Sequence, residues 1–445
     1  SPPVNKMPKY KSYQDDIAKK KTKYQKIDQR GYVDYPAMKK KAGKGVITNH
    51  VADAMLAKDP YELKMAIGYW NNFVFSCTET KRWEEALEKL PFFVHITTNI
   101  AEMTQYADVV LPAAFSMFEK WAFLKNKQNL HGYCALQQPV VKPSFNVKAD
   151  ETEIPFMLAK KLAERGFTAY YEFLKSGYKD PETGKEATNE AEFAEYAVKY
   201  YTAPLWDGSV TGKGDEIKGW EAFKKAGVWN TKKFPYKKHW GKFKTKTKKY
   251  EFYSETLKYV FEGHADKKHT TVDEVLEMCK YNARGELAFV PHYEEAYRFG
   301  DEKEFPLVFT EHRSRLNREG RSQNTTWYYD IKDVDPGDVS GEDVAKINPI
   351  TAKEYGLKDG DNIKITSIIG SITCKVRAWE GVRPGQVTKC FGQGHWAYGR
   401  VAAKDFHKAI PRGANTNELM PYETERLSGS NVRHGGHTRV KIEKV

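Results

Sequence analysis

The chain reads as an α/β protein in which a parallel-sheet region precedes a small closed β-barrel. Two observations predict this. Strand and helix patterns alternate between Val46 and Leu111, and short β-type runs separated by glycine turns fill Val344 to Val387. In that second stretch, VAKINPITAKEYGLKDGDNIKITSIIGSITCKVRAWEGVRPGQV, Asn348-Pro349 breaks the backbone and ITAKEYGL makes one short helix closed by Gly356. Lys358-Asp359-Gly360-Asp361 supplies a tight turn. Ile363 and Ile365 then alternate with polar residues, Ile369-Gly370-Ser371 turns the chain into ITCKV, and Pro384-Gly385 leads into a last strand from Gln386 to Phe391. The pattern is that of a closed barrel with one helix at its mouth.

Upstream, residues 1–45 are lysine-rich and polar and read as a peripheral basic arm. Val46 to Asn72 reads as a helix, a break at Pro60, and a strand, LKMAIGYW, ending at Asn71-Asn72. A helix over Lys81 to Leu90, a strand from Phe92 to Ile96, a helix near Ala101 to Tyr106 and a buried strand from Asp108 to Leu111 follow. That alternation predicts parallel pairing, with ligands taken where strand C-termini meet helix N-termini. Residues 115–145 read as an irregular loop and Glu151 to Arg165 as a helix, with an amphipathic helix from near Glu190. Trp220 to Lys249 reads as a Trp- and Lys-rich linker, and Thr271 to Cys279 as one more short helix. The division expected is an arm (1–45), an α/β domain (46–300) and a barrel domain (301–445).

Length and composition bound the function. The chain has 445 residues, enough for two or three cores, and 40% hydrophobic and 13% aromatic residues mark a folded protein. A mean hydropathy of -0.71 and the lack of a long apolar run argue against a membrane span. The first residues, SPPVNKMPKYKS, have no apolar stretch of the export-signal kind. Net charge is +13, with lysines clustered at Lys19 to Lys21, Lys39 to Lys41 and Lys242 to Lys249. Such clusters are either solvated faces or an attraction for a dianionic cofactor or an oxyanion substrate. An RNA-type aromatic pattern is absent, so nucleic acid is not an expected partner. The five cysteines stand singly with no CxxC pair, which predicts buried free thiols and assigns no metal ligand.

The segment NPITAKEYGLKDGD, ITSIIGSITCKV and VRPGQV resembles the C-terminal dinucleotide-binding domain of the molybdopterin oxidoreductases, the dimethyl-sulfoxide-reductase superfamily. EEALEKLPFFVHITTNIAEMTQYADVVLPAAFSMFEKWA, residues 84–122, is similar to the centre of the same superfamily, and Gly68-Tyr69-Trp70-Asn71-Asn72 occupies the place of its Gly-x-x-Asn turn. FKTKTKKYEFYSETL, Phe243 to Leu257, resembles the strand entry that precedes the barrel. The resemblance implies a Rossmann-like parallel-sheet domain followed by a double-psi-type β-barrel that grips a molybdopterin guanine dinucleotide.

Candidate contacts follow from residue chemistry and from the resemblance together. Gly68, Asn71 and Asn72 form either an ordinary strand-ending turn or, as the resemblance implies, a contact for the nucleotide end of one cofactor. Thr97 stands where the family carries a guanine-binding acid. Asp108 is either a structural cap or a cofactor contact. Arg313 and Arg315, then Asn317 and Asn324, follow an apolar strand, and the arginine fork suits pyrophosphate and pterin edges; a solvated basic turn is the alternative. Trp327 is expected to pack. In FGQGHWAYGRVA, Gly392, Gly394, His395 and Trp396 are implied contacts, and His395 is the one candidate for a catalytic general acid. Asn415 and Asn417 match an amide-bearing turn that meets a dinucleotide in these enzymes, and Arg433 and Arg439 are further phosphate candidates.

The resemblance further implies the C-terminal, cofactor-binding portion of a larger catalytic subunit, inactive alone. Its cofactor is bis(molybdopterin guanine dinucleotide) with molybdenum or tungsten. Any iron-sulfur cluster belongs to the preceding half. GHWAYGR followed by GANTN looks like the branch reducing sulfur and arsenic oxyanions or polysulfide in anaerobic respiration. Expected partners are the N-terminal half of the subunit, an iron-sulfur electron-transfer subunit, a membrane anchor and a small oxyanion, in the periplasm or alternatively the cytoplasm. The competing reading is a non-catalytic scaffold homologue, which the missing acid at Thr97 favours.

Overall fold

The computed structural model describes residues 1–10, 48–59, 61–115, 117–238, 240–331, 334, 337, 342–424, 431–432 and 436–445. Most of the basic arm, with two of its lysine clusters, and Arg433 lie outside these residues. The chain forms two compact units: residues 1–23 with 111–250, and residues 24–110 with 251–445.

The second unit holds the barrel. Its strands are β7 (Leu307–His312), β8 (Val344–Ile347), β9 (Asn362–Thr366), β10 (Ser371–Ala378), β11 (Gln386–Cys390) and β16 (Thr438–Lys444). They close in the order β10-β8-β11-β7-β16-β9. β10/β8 and β11/β7 pair in parallel, and the other four ladders are antiparallel. The two-residue period of each strand turns one side inward. Phe309, Ala345, Ile347, Ile363, Ile365, Val387 and Val440 are all fully buried in one cluster. Burying each of the larger side chains is worth about 1.5–3 kcal/mol. The helix Pro349–Glu354 starts as its sequence dictates: Pro349 sits in the first turn and Asn348 Oδ1 accepts from Ile350 N at 2.9 Å. It delivers Ala352, with Leu357 just beyond, to the barrel core.

The same unit carries a three-stranded sheet, β1 (Ala66–Tyr69), β2 (Phe93–Thr97) and β3 (Val109–Pro112), in that order. β1 and β2 pair in parallel. The helices His50–Ala57 and Thr80–Glu88 share a core with this sheet, around Ala52, Trp83, Leu87 and Phe93. β3 is an exception to its expected burial: Val109 and Val110 are exposed. The expected helix near Ala101 is a 3-10 turn, Glu102–Tyr106. Two short ladders, β12 (Ala403–Asp405) with β13 (Ile410–Pro411) and β14 (Glu423–Thr424) with β15 (Asn431–Val432), lie in the loops after β11.

The first unit corrects several expectations. Residues 115–145 contain a hairpin, β4 (Ala122–Gln128) and β5 (His131–Gln137), extended by β6 (Val228–Asn230). Trp220 to Lys249 is therefore not all linker: a helix, Trp220–Ala226, and β6 place Trp220 and Trp229 in a core with Phe223 and Trp206. Residues 1–10 are not a free arm. Asn5 bonds the carbonyls of Tyr200 and Tyr201, and Tyr10 packs on Tyr170 and Phe173. The strand expected within Phe243 to Leu257 is replaced by turns and the start of the helix Glu255–Lys268. Trp327 is 49% exposed rather than packed.

Candidate functional site

A crevice of about 390 Å³ opens in the second unit between the turn after β1, the turn after β2, the loop 319–321 and the loop 395–398. Trp70, Asn71, Asn72, Phe75, Thr97, Arg321, His395 and Tyr398 are among its walls. Trp70 holds φ +49°, a left-handed conformation costly for a bulky side chain, so this turn carries strain at the crevice mouth.

The two asparagines of the turn differ in use. Asn72 is committed: Nδ2 donates to Glu102 Oε2 at 2.7 Å and Oδ1 accepts from Met103 N at 3.0 Å. Asn71 is not, because its buried Oδ1 has no hydrogen-bond partner. A buried acceptor without a donor costs about 1–3 kcal/mol, and the residue that carries it lines the crevice. Gly68 gives it room, since a Cβ there would lie 2.8 Å from Asn71 Oδ1. His95 backs the turn, with Nε2 on the carbonyl of Asn71 at 3.0 Å and Nδ1 on Thr104 Oγ1 at 2.9 Å. A carbonyl only accepts, so Nε2 carries the proton; burial, partly offset by that carbonyl, lowers the His95 pKa. Thr97 also lines the crevice, its hydroxyl donating to Asn99 O at 2.7 Å.

Behind the wall sits Glu102, fully buried and unremarked in the sequence reading. It accepts from Asn72 Nδ2, from Trp396 N at 2.9 Å, from Ala397 N at 3.1 Å and from His395 Nδ1 at 3.1 Å. Burial alone would raise its pKa. The His395 bond and charge, the Ala397 N–H and the Asn72 amide overcome that and hold it below the usual carboxylate range. His395 Nε2 faces Gly320 O at 2.9 Å, and the ring stacks on Phe75 at 3.6 Å between centroids. Both ring nitrogens of His395 are thus engaged inside the protein.

Glycines bring these loops together. Gly392 has φ +80° and Gly394 φ +92°. A Cβ on Gly392 would meet Gly320 Cα, and one on Gly394 the backbone of Ala414 and Asn415. Asn317 pins the loop, donating to Phe391 O at 2.6 Å and accepting from Gly320 N at 3.0 Å. Asn415 and Asn417 both donate to Phe75 O, at 2.9 and 2.8 Å, and so hold the helix Phe73–Ser76 from behind. Asn417 Oδ1 is buried without a hydrogen-bond partner. Trp396 packs partly buried against the sheet core. Asn324 lies one loop away, accepting from Val401 N at 3.3 Å.

Four sequence candidates stand elsewhere. Asp108 caps the sheet, its Oδ2 accepting from Phe93 N at 2.7 Å. Arg313 is exposed at a separate cavity of about 320 Å³ with Lys346, Trp379 and Arg383, and Arg315 is exposed. Arg439 pairs with Glu302 at 2.8 Å. All five cysteines are buried thiols outside any disulfide. Among the described residues no group of three or more His, Cys, Asp or Glu can hold a metal, and no helix is long and apolar enough to cross a membrane.

A six-stranded barrel set beside an amide-lined crevice is the framework of a dinucleotide-binding protein, and residues 316–435 match the family described as Molydopterin dinucleotide binding domain. Along its whole length the chain is similar to subunits of the molybdopterin oxidoreductases. It is similar to the arsenate respiratory reductase molybdopterin-containing subunit ArrA of Shewanella sp. (strain ANA-3), 52% identical across 100% of this chain and 52% of the relative. The same subunit of Chrysiogenes arsenatis is 54% identical across 100% and 53%. The thiosulfate reductase subunit PhsA of Salmonella typhimurium is 23% identical across 91% and 47%. The chain therefore spans about half the length of the curated relatives it matches. Among solved structures, acetylene hydratase from Pelobacter acetylenicus shares the fold, with a TM-score of 0.57 at 16% identity over 90% of this chain and 47% of that one.

Proposed function

We propose that this chain is the cofactor-binding part of a molybdenum bis-pterin respiratory reductase that reduces an oxyanion, with arsenate as the substrate. The identity of 52–54% to two arsenate respiratory reductase subunits along the whole chain carries this reading. The scaffold alternative has no support among these relatives, which are molybdopterin-containing reductase subunits. The crevice fits the cofactor chemically. Asn71, whose Oδ1 has no protein partner, lines the crevice with Thr97, and Arg321, ion-paired to Glu319, adds a guanidinium to its wall.

The bound cofactor would supply two-electron, oxygen-atom chemistry; the chain orients it and sets its electrostatics. Asn71 and Thr97 would meet the polar edge of a heterocycle. Arg313, in its own cavity, would meet a second anionic group. His395, held at both ring nitrogens, acts in our reading as wall rather than as general acid. We further infer a double-psi barrel from the mixed parallel and antiparallel closure, and a Rossmann-like layer from the parallel β1/β2 pair flanked by helices. Residues 46–300 would be the α/β domain and 301–445 the barrel domain that binds the dinucleotide, the barrel's first strand starting at Leu307. An N-terminal half, an iron-sulfur partner and a periplasmic, membrane-associated location complete the proposal, with cell fractionation to check the location.

The test is elemental and nucleotide analysis of the natively purified reductase together with arsenate-dependent oxidation of a reduced dye. Molybdenum, about two guanine nucleotides per subunit and arsenate turnover are expected. Asn71→Ala should lower nucleotide content severalfold without lowering the melting temperature, because Oδ1 has no protein partner to lose. Metal-free, nucleotide-free native protein would refute the reading.

A further inference from the structure

Glu102 and His395 do more than close a gap between loops. Every polar atom facing the Glu102 carboxylate is a donor: the Asn72 amide on Oε2, and the Trp396 and Ala397 N–H groups on Oε1. That set suits an ionised carboxylate, which only accepts. His395 therefore meets an acceptor at each ring nitrogen, Glu102 at Nδ1 and the Gly320 carbonyl at Nε2. A neutral imidazole has one N–H and would leave one of these contacts lone pair against lone pair. The His395 side chain is 4% exposed, so water does not relieve the mismatch. The side of His395 that remains is part of the crevice wall, while Glu102 lies behind it and does not line the crevice.

We propose that His395 stands in the crevice wall as an imidazolium, fixed by Glu102 as its positioning residue, and that this buried positive charge receives an anionic group of the bound pterin dinucleotide. The second half rests on the dinucleotide reading above; the first half does not. The other charged and titratable groups at this face fit the assignment. Arg321 lines the mouth and is ion-paired to Glu319 at 3.1 Å, which leaves the buried His395 as the charge farther from solvent. The Tyr398 ring lies 4.8 Å from the His395 ring, and burial, opposed by Arg321 and reinforced by Glu102, raises its phenol pKa and keeps it neutral. A charge held in place and shielded from water acts more strongly on a ligand than one on a mobile surface arginine. The pairing also explains an otherwise wasteful burial. Neither group alone would be tolerated there, whereas together they present positive charge to one side only.

The experiment is nitrogen NMR on the full chain with ¹⁵N-labelled histidine, the His395 signals being those lost in His395→Asn. At pH 7 both His395 ring nitrogens should report as protonated, and Glu102→Gln should convert them to one protonated nitrogen, Nε2, facing Gly320. A purely structural Glu102 would leave the protonation pattern alone. Titration with pyrophosphate and with GDP should shift the His395 signals, and Glu102→Gln should weaken both ligands about tenfold. A singly protonated His395 in the wild-type chain overturns the proposal, and that spectrum suffices if Glu102→Gln does not fold. A doubly protonated His395 that ignores both ligands overturns the anion-receiving half and tells against the dinucleotide reading of the crevice, while the imidazolium assignment stands.

Discussion

Glu102 gathers four donors from two segments of chain, and the crevice depends on it at low pH in a definite direction. Its folded-state pKa is depressed below the ordinary carboxylate value of 4.5. A depressed acid contributes stability that is fully present above its unfolded pKa and is lost as pH falls through the folded one. The wild-type melting temperature should therefore drop as pH is lowered from about 5 through the acid range. Glu102→Gln should start lower at neutral pH and show a shallower acid limb, measured by circular dichroism across pH 3 to 7. An acid limb equally steep in the variant would place the titrating group elsewhere. In the sequence this residue was invisible. NIAEMTQY reads only as a helix near Ala101 to Tyr106, and it takes a loop 293 residues later, donating from His395, to make Glu102 a buried anchor. Asn71 and Asn72 were legible as a turn, yet their division into ligand acceptor and structural pin depends on where Met103 N lies.

The elements were legible where their pattern was local. The barrel strands alternate cleanly, as in the exposed-buried pattern of β10, and their turns carry glycines. The β4–β5 hairpin was not legible, because β4 is mostly exposed and polar and its turn is Asn129-Leu130, both with positive φ. Leucine is no turn signal, and only tertiary packing of Cys134 and Trp229 repays that conformation. One barrel element breaks its own pattern. β11 turns Val387 inward and then Lys389, which is 0% exposed and pairs with Asp343 at 2.7 Å while donating to Ala414 O at 2.8 Å. Asp343 in turn accepts from Ala414 N at 2.7 Å, so the ion pair ties the barrel end to the loop leading to Asn415 and Asn417. Lys389→Met leaves Asp343 buried and without its cation, and should cost about 3–5 kcal/mol. Urea denaturation checks this, and a cost under about 1 kcal/mol would show that water reaches Asp343 in the variant.

At the scale of the whole molecule, the placement of the crevice within a single compact unit decides how a ligand is felt. Trp70 to Ser76, Thr97 to Ala101, Glu319 to Arg321 and His395 to Tyr398 all belong to the unit built from residues 24–110 and 251–445. The unit holding residues 111–250 has its own two cores, one around Trp206, Trp220 and Trp229 and one around Phe156, Phe193 and Tyr178. A ligand that binds only the folded crevice stabilises what must open to release it, by about 2.7 kcal/mol at a hundredfold excess over Kd. Hydrogen exchange should then slow on GDP addition in the 70–76, 97–103, 317–321 and 392–398 backbones, where tightened loops bond one another through Glu102 and Asn317. Exchange in the helices Glu153–Ala163 and Glu190–Thr202 should not change, since no residue of theirs lines the crevice. The net charge of +13 makes the protection depend on salt, and raising ionic strength from 0.05 to about 0.5 M should weaken it by shortening the screening length. Protection that appears equally in both units, or that survives high salt undiminished, would mean that GDP acts by a route other than the cationic crevice.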